Sequence, residues 1–503
     1  MRNSFLRIFI VLLIVVFAVG FVEAEDVLKV AKDQAAVGFD PHTVPAASSI
    51  QVYQHIYNGL VDMDEEGNII PELAKRWKIV DEKTYRFDLR KGVKFHNGRE
   101  MTSADVKYSF ERILDPDTSS IAESYFTMVD EITTPDDYTV VFKLKDPFAG
   151  FLTNMAHVWA AVVPKEIVEE HGNLKQEACG TGPFKLEDWA PDEHSILVKN
   201  EDYFEEGLPK VDKIEFLVMK DESARIAALR SGQVHLSSIS PDGAEILSAQ
   251  RNVNIINYPS LNYTYAGFNT TKEPFNDPKV RLAISYAIDR EEIAEIVYGG
   301  HASVTGPVPP PQKNWALPVG TYPSYGGRQI EKAKQLLAEA GYEDGLEFTI
   351  KTSSTYGYMV DTALALQNQL QKANISTNIE LVEWGTYIDA WVNTDHEFLV
   401  GLNGSGVTPD RALHFFFHTE GTANVWGFSN EEFDQLVEKA RVTTDYMERS
   451  ELYKNAQRLL VNKLAPNLFL NAPYNFYAVN KNIEGFNPTA LTGESVLKNV
   501  SIK

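Results

Sequence analysis

His414 and His418 stand four residues apart, a spacing that puts two imidazoles on one face of a helix, where they could share a metal ion. No third ligand stands at a matching spacing, so the metal reading stops there and no cofactor is expected. His96 sits inside a Phe-His-Asn-Gly turn, where a structural role is the simpler expectation. Cys179 is the only cysteine, which rules out a disulfide framework and any paired Cys-x-x-Cys. No nucleophile elbow and no HExxH is present. Gly180-Thr181-Gly182-Pro183 is a tight backbone without the Lys-Ser or Lys-Thr that a phosphate loop needs. The chain is therefore expected not to be an enzyme, and the chemistry that remains is binding. Gly401, Gly404 and Gly406 punctuate what reads as a strand end, leaving backbone N–H and C=O groups free for a ligand. Trp384, Trp391, Trp426, Tyr263 and Tyr265 are either stacking platforms for a sugar or core residues.

The elements that would carry these residues can be read in order. Leu28 to Ala31 reads as a strand stopped by Phe39-Asp40-Pro41, and Ser49 to Leu60 as a helix with Val52, Ile56 and Leu60 on one face. Tyr85, Phe87 and Leu89 alternate with Arg86 and Asp88, the period of a half-buried strand, and Val93 to Phe95 reads as a second strand after Lys91-Gly92. Thr102 and Asp105 form a capping box ahead of a helix whose stripe is Val106, Phe110, Ile113 and Leu114. Tyr138 to Leu144 alternates as another strand, and Asp277-Pro278 starts a helix. Leu346 to Thr352, Tyr358 to Ala373 and Ile375 to Val382 read as strand, helix, strand, which predicts parallel sheet with a right-handed crossover.

With 503 residues the chain exceeds the ~250–300 at which single cores stop growing, so two or three lobes are expected. The formal net charge of −23 argues against nucleic acid and anionic membrane surfaces as partners, since both repel such a field. Arg2 and Arg7 precede an apolar run from Ile8 to Val22, and Val22-Glu23-Ala24 resembles a cleavage site, so residues 1–24 read as a secretory signal peptide. The run is shorter than the ~20 residues that span a bilayer. Cys179 is far from that site, so no thiol is placed there to carry a lipid, and a free periplasmic protein is expected instead of a lipoprotein.

One stretch is more specific. Trp77, Thr84 to Phe87, Leu89-Arg90, Gly92 to Gly98 and Thr102 to Phe110 together resemble the family 5 extracellular solute-binding proteins, the dipeptide, oligopeptide, glutathione and nickel receptors of ABC importers. The resemblance implies an α/β, two-lobe type II (Venus-flytrap) periplasmic-binding-protein fold with a small extra lobe inserted in the first. The expected division is first lobe 25–62, small lobe 63–179, first lobe again 180–268, second lobe 269–475, and a first-lobe tail 476–503. It further implies a monomer that hands a ligand to an inner-membrane ABC permease.

In relatives that bind short peptides, the strand end before the Asp410 motif carries an acidic residue for the peptide's amino terminus. Registered on Asp410, that position falls near Val407, with Ser405 the closest polar side chain, so a free-dipeptide carboxylate contact is missing. A longer or modified peptide held by its main chain is favoured, and an oligosaccharide is the alternative; a nickel or metal-complex receptor and a secreted hydrolase stand further off. The expected ligand contacts are Tyr57, Tyr263, Tyr265, Trp384, Gly404, Ser405 and Asp410.

Overall fold

The computed structural model describes residues 25–503 apart from Thr492 and Ser495; the expected signal peptide, residues 1–24, lies outside the described residues. Two sheets and a smaller third one organise the chain. The first has its longest parallel run in Val27–Lys32, flanked by Lys213–Val218 and Leu236–Ile239, both parallel to it. Asn471–Asn480 lies antiparallel between Leu236–Ile239 and Val253–Pro259, so the last third of the chain completes this sheet. The second sheet runs in the order 375–382, 346–353, 398–404, 262–268, 467–469. Its first three strands are parallel, and Gly357–Gln371 is the crossover between 346–353 and 375–382, as the sequence pattern predicts. Asn262–Phe268, expected at the end of the first lobe, instead pairs along its length with Phe398–Gly404 in the second sheet.

Every residue of Asn262–Phe268 but the exposed Asn262 is buried, because the strand lies between two others with helices behind it. The small lobe is an antiparallel sheet in the order 74–81, 84–89, 139–144, 129–136, backed by the helix Ser103–Leu114. The capping box is present as read, Asp105 accepting from the Thr102 N–H at 2.8 Å. Val93–Phe95 does not form a strand; only a Lys94–Glu100 bridge marks it. The helix read over 49–60 spans Ala47–Tyr53 and stops there, because the carbonyls of His55 and Ile56 are taken by the Phe184 and Gly182 N–H groups at 3.1 and 2.8 Å.

Two buried histidines make the first lobe sensitive to acid. Burial holds the His55 imidazole down from 6.5 to about 3, and burial with the neighbouring Arg112 charge holds His42 at about 4. Both groups are depressed, so their stabilising contribution is complete above 6.5 and is lost as pH falls toward 4 and 3. The unfolding free energy from urea titration at pH 5 is expected to lie below that at pH 7, with a correspondingly lower midpoint, by about 2 kcal/mol for each histidine. An unchanged midpoint would mean that these rings charge without unfolding.

Candidate functional site

The two main sheets point their carboxyl ends at each other. Lys32, Val218 and Ile239 end the parallel strands of the first sheet, and Ser353, Val382 and Gly404 those of the second. The chain passes between the sheets through residues 259–262 and 469–471, and the pairings Pro259 with Tyr474 and Asn262 with Gly404 put all these ends on the side of the crossings. Ligands of open α/β sheets bind at such ends.

On the second-lobe side, Ser405 follows the strand end. Its side chain is fully buried and donates to the Leu261 carbonyl at 2.9 Å, while its own N–H reaches the same oxygen at 3.1 Å. Gln312, from the proline-rich stretch, donates to Ser405 Oγ at 3.1 Å and to the Gly406 carbonyl at 2.9 Å. Ser405 thus pins a crossing segment and offers no free hydroxyl. Gly401 has no room for a side chain: a Cβ there would sit 2.0 Å from the Tyr387 hydroxyl and 2.6 Å from that of Tyr265, which are themselves 3.1 Å apart. Trp384 opens the helix Trp384–Val392 just past the end of 375–382, stacks on Tyr387 at 5.3 Å and takes the edge of Tyr356 at 5.0 Å. With 36% of its surface exposed, it is the one aromatic of the expected set with a face toward solvent. Tyr57 lies in the first-lobe core, and Tyr263 and Tyr265 in the second-lobe core, each buried. Gly404 is half-buried opposite Asn262.

Asp410 lines a cavity of about 190 Å³ between the small lobe and the second lobe. Met63, Gly67, Ile69, Phe148 and Thr153 form one wall, and Trp315, Val407, Tyr446, Arg449 and Tyr453 the other. Burial pushes the Asp410 carboxyl up, against the pull of Arg441, whose Nε is 3.0 Å away. The two walls are clipped together at residue 149: the Ala149 N–H donates to the Arg441 carbonyl, and Arg449 Nη1 donates to the Ala149 carbonyl, both at 2.7 Å. A broader cavity of about 660 Å³, lined by Thr43, Tyr108, Glu111 and Lys175 among others, includes none of the strand-end residues named above.

The first-lobe side carries a charge pair that sequence reading passed over. Lys32 is buried at the end of the central strand and donates to Gln51 Oε1; Gln51 Nε2 donates to Glu494 Oε1 at 2.9 Å, and the Tyr477 hydroxyl donates to the same oxygen at 3.2 Å. Burial lowers the Lys32 ammonium and raises the Glu494 carboxyl, each opposed by the other's charge. The three residues lie 19 and 443 positions apart, so no spacing could have grouped them.

The histidine pair does come together, with rings stacked at 4.4 Å, but its nitrogens have other partners: His414 Nε2 faces Arg441 Nη1 at 3.0 Å, and His418 Nε2 faces Glu438 at 3.0 Å. Among the described residues no group of three or more His, Cys, Asp or Glu is placed to hold a metal ion. His96 has the structural role expected of it, Nε2 meeting the Gly182 carbonyl at 3.0 Å. Arg449, Trp315, Tyr446 and Phe148 were not singled out in the sequence, where each is an ordinary residue of a helix or loop.

The model of the bacterial extracellular solute-binding proteins, family 5, matches residues 68–424. The oligopeptide-binding protein AppA of Bacillus subtilis is 29% identical over 87% of this chain and 84% of its own length. The glutathione-binding protein GsiB of Salmonella typhimurium is 29% identical over 92% of each. Among solved structures, HbpA2 of Haemophilus parasuis overlays with a TM-score of 0.86 at 26% identity, covering 95% of this chain and 100% of that one. AppA of Bacillus subtilis in complex with a nonapeptide overlays at 0.74 and 28% identity, covering 95% and 99%; the unliganded open form of the murein tripeptide binding protein MppA overlays at 0.83 and 23%, covering 95% and 98%. The signature in residues 77–110, the paired sheets and the match over most of the length agree: this chain belongs to the bacterial extracellular solute-binding proteins, family 5.

Proposed function

We propose that the protein is the periplasmic receptor of an ABC importer, that it carries a peptide, and that it does so by closing its two lobes on the ligand. The observation that carries this reading is the meeting of both sheets' carboxyl ends across the crossings, with polar groups on each side: Lys32, Gln51 and Glu494 below, and Asn403, Asp410 and Arg449 above. As a receptor the protein would release its ligand unchanged, in keeping with relatives that are binding proteins. A ligand shifts such a clamp only by its difference in affinity between open and closed forms. The chain acts as a monomer, released from its signal peptide, with an inner-membrane permease as partner. We place ligand contacts at Trp384, Gly404 and Asp410, with Ser405 holding the crossing beneath them. Tyr57, Tyr263 and Tyr265 support these positions from the cores.

The test is a thermal-melt panel on residues 25–503 with di- to pentapeptides, glutathione, short α- and β-glucans and nickel. A true ligand at one hundred times its dissociation constant adds about 2.7 kcal/mol of stability. Stabilisation by tri- to pentapeptides, weakened about tenfold in affinity by Trp384→Ala, is the expected result. Stabilisation by glucans alone would replace peptide by oligosaccharide as the cargo and make the Trp384–Tyr356 surface its platform.

A further inference from the structure

We propose that Arg449 is the anion-binding group of this receptor, receiving a carboxylate of the bound peptide in the cavity between the small lobe and the second lobe. This rests on the peptide-receptor reading and names the ligand group that the pocket selects. Arg449 is the cavity's unsatisfied charge. Its Nη1 donates to the Ala149 carbonyl at 2.7 Å, but Nε is buried without a hydrogen-bond partner. Among the described residues no carboxylate stands within ion-pair distance of it. Arg449 is half-buried; of the buried arginines, Arg225 shares an unpartnered Nε but gives its Nη1 to the carbonyls of Met219 and Lys220, and the other three are better served. Arg112 forks onto Asp40 at 3.0 and 2.7 Å, Arg281 donates to the carbonyls of Leu464 and Phe275, and Arg290 to those of Phe469, Ser285 and Ser324.

The one carboxylate in the cavity wall is already engaged. Asp410 faces Arg441 at 3.0 Å and its charge also acts on Arg449, so two arginines share one carboxylate and the cluster keeps one positive charge. A guanidinium withdrawn from water with donors unused is costly, and an incoming carboxylate is the group that satisfies it, through charge-assisted bonds along its planar fork. The walls fit the same ligand. The Arg449 guanidinium lies 5.0 Å over the Trp315 ring, with Tyr446 at 6.0 Å, which fixes the plane of the fork. Phe148, Val407 and Tyr453 supply apolar surface for the carbon atoms next to the carboxylate. In a protein of net charge −23, such a cationic cavity is local and specific. The carboxylate can be the peptide's C-terminus or an acidic side chain, and the experiment separates the two.

Calorimetric titrations with alanine-based tri- to pentapeptides decide the matter. Each peptide is used as the free acid, as the C-terminal amide, and with one Glu or one Gln at successive positions. For the wild-type protein one of these carboxylate-to-amide changes is expected to weaken binding about tenfold or more; loss on C-terminal amidation assigns the terminus, and loss on Glu-to-Gln assigns a side chain. Arg449→Gln removes that discrimination, and Arg449→Lys keeps part of it, since the charge remains without the fork. The measure is the ratio of acid to amide affinity, because loss of the Ala149 bond weakens all ligands alike. Should both Arg449 variants fail to fold, Thr153→Phe fills the cavity from the small-lobe side and is expected to abolish the same ratio. Equal affinity of the wild type for acid and amide peptides, or a ratio that survives Arg449→Gln or Thr153→Phe, overturns the proposal and leaves the receptor reading standing. If no peptide binds in any form, both fall together.

Discussion

Replacing Arg112 by leucine is expected to remove about 3–5 kcal/mol of stability, the cost of leaving a buried charge without its partner. Arg112 lies on the small-lobe helix 103–114 and its guanidinium forks onto Asp40 of the first lobe, at 3.0 Å to Oδ1 and 2.7 Å to Oδ2. Asp40 is fully buried and also accepts the N–H groups of His42 and Leu174, each at 3.1 Å. Burial raises the Asp40 carboxyl, yet the Arg112 hydrogen bonds and charge outweigh it and hold the group below its usual 3.8. In Arg112→Leu only the burial remains, together with two N–H groups that cannot offset it. The double variant Arg112→Leu/Asp40→Leu should recover part of the loss, because an apolar pair leaves no charge stranded. Urea unfolding of the single and double variants measures both; a single variant within 1 kcal/mol of wild type would show that water reaches Asp40.

Gly180→Ala is expected to cost about 3 kcal/mol, or to prevent folding. A Cβ at residue 180 would stand 2.1 Å from the Ile56 carbonyl oxygen and 2.7 Å from the Tyr57 ring. Residue 182 is nearly as confined, its Cβ direction blocked by the His55 carbonyl at 2.5 Å. The obstacle is backbone on both sides, so no rotamer change relieves it. Gly182 N–H donates to that Ile56 oxygen, and the Thr181 hydroxyl donates to Asn58 Oδ1 at 3.0 Å, which binds the whole Gly-Thr-Gly segment to residues 55–58. Soluble yield and a urea midpoint compared with Gly172→Ala separate this contact from a general intolerance. Gly172 has no neighbour within 4 Å of its Cβ direction, and its positive φ of 76° makes alanine there a strain of its own kind.

What could be read from the sequence was local. The Thr102–Asp105 box, the strand read over 138–144 (observed as 139–144) and the strand-helix-strand of 346–382 are found in place, because each is specified by residues a few positions apart. The strand Ala74–Asp81 escaped notice for a physical reason: it is an edge strand, buried only at Ala74, so it shows no alternation. Residues 54–60 carry a helical stripe, yet tertiary pairing with 182–184 draws their carbonyls out of a helix. The site was less legible than the fold. Tyr263 and Tyr265 alternate with smaller residues, as both a stacking platform and a core strand would; the structure buries them between sheet and helices. Phe148, Trp315, Asp410 and Arg449 meet from four distant parts of the chain, and no period or spacing encodes such a meeting.

The way the sheets share the chain has a consequence for the order in which they form. Every strand of the second sheet lies between residues 262 and 469, one uninterrupted length of polypeptide. The first sheet begins at Val27 but lacks its member between 236–239 and 253–259 until Asn471–Asn480 arrives. A chain emerging from its amino end can therefore assemble the small lobe and the second sheet while the first waits, its two halves unjoined, for nearly the last residues to be delivered. Non-local closure of this kind is slow. If the proposed export carries the chain across a membrane before it folds, a keystone at residues 471–480 would postpone completion of the first sheet until the other strands have passed.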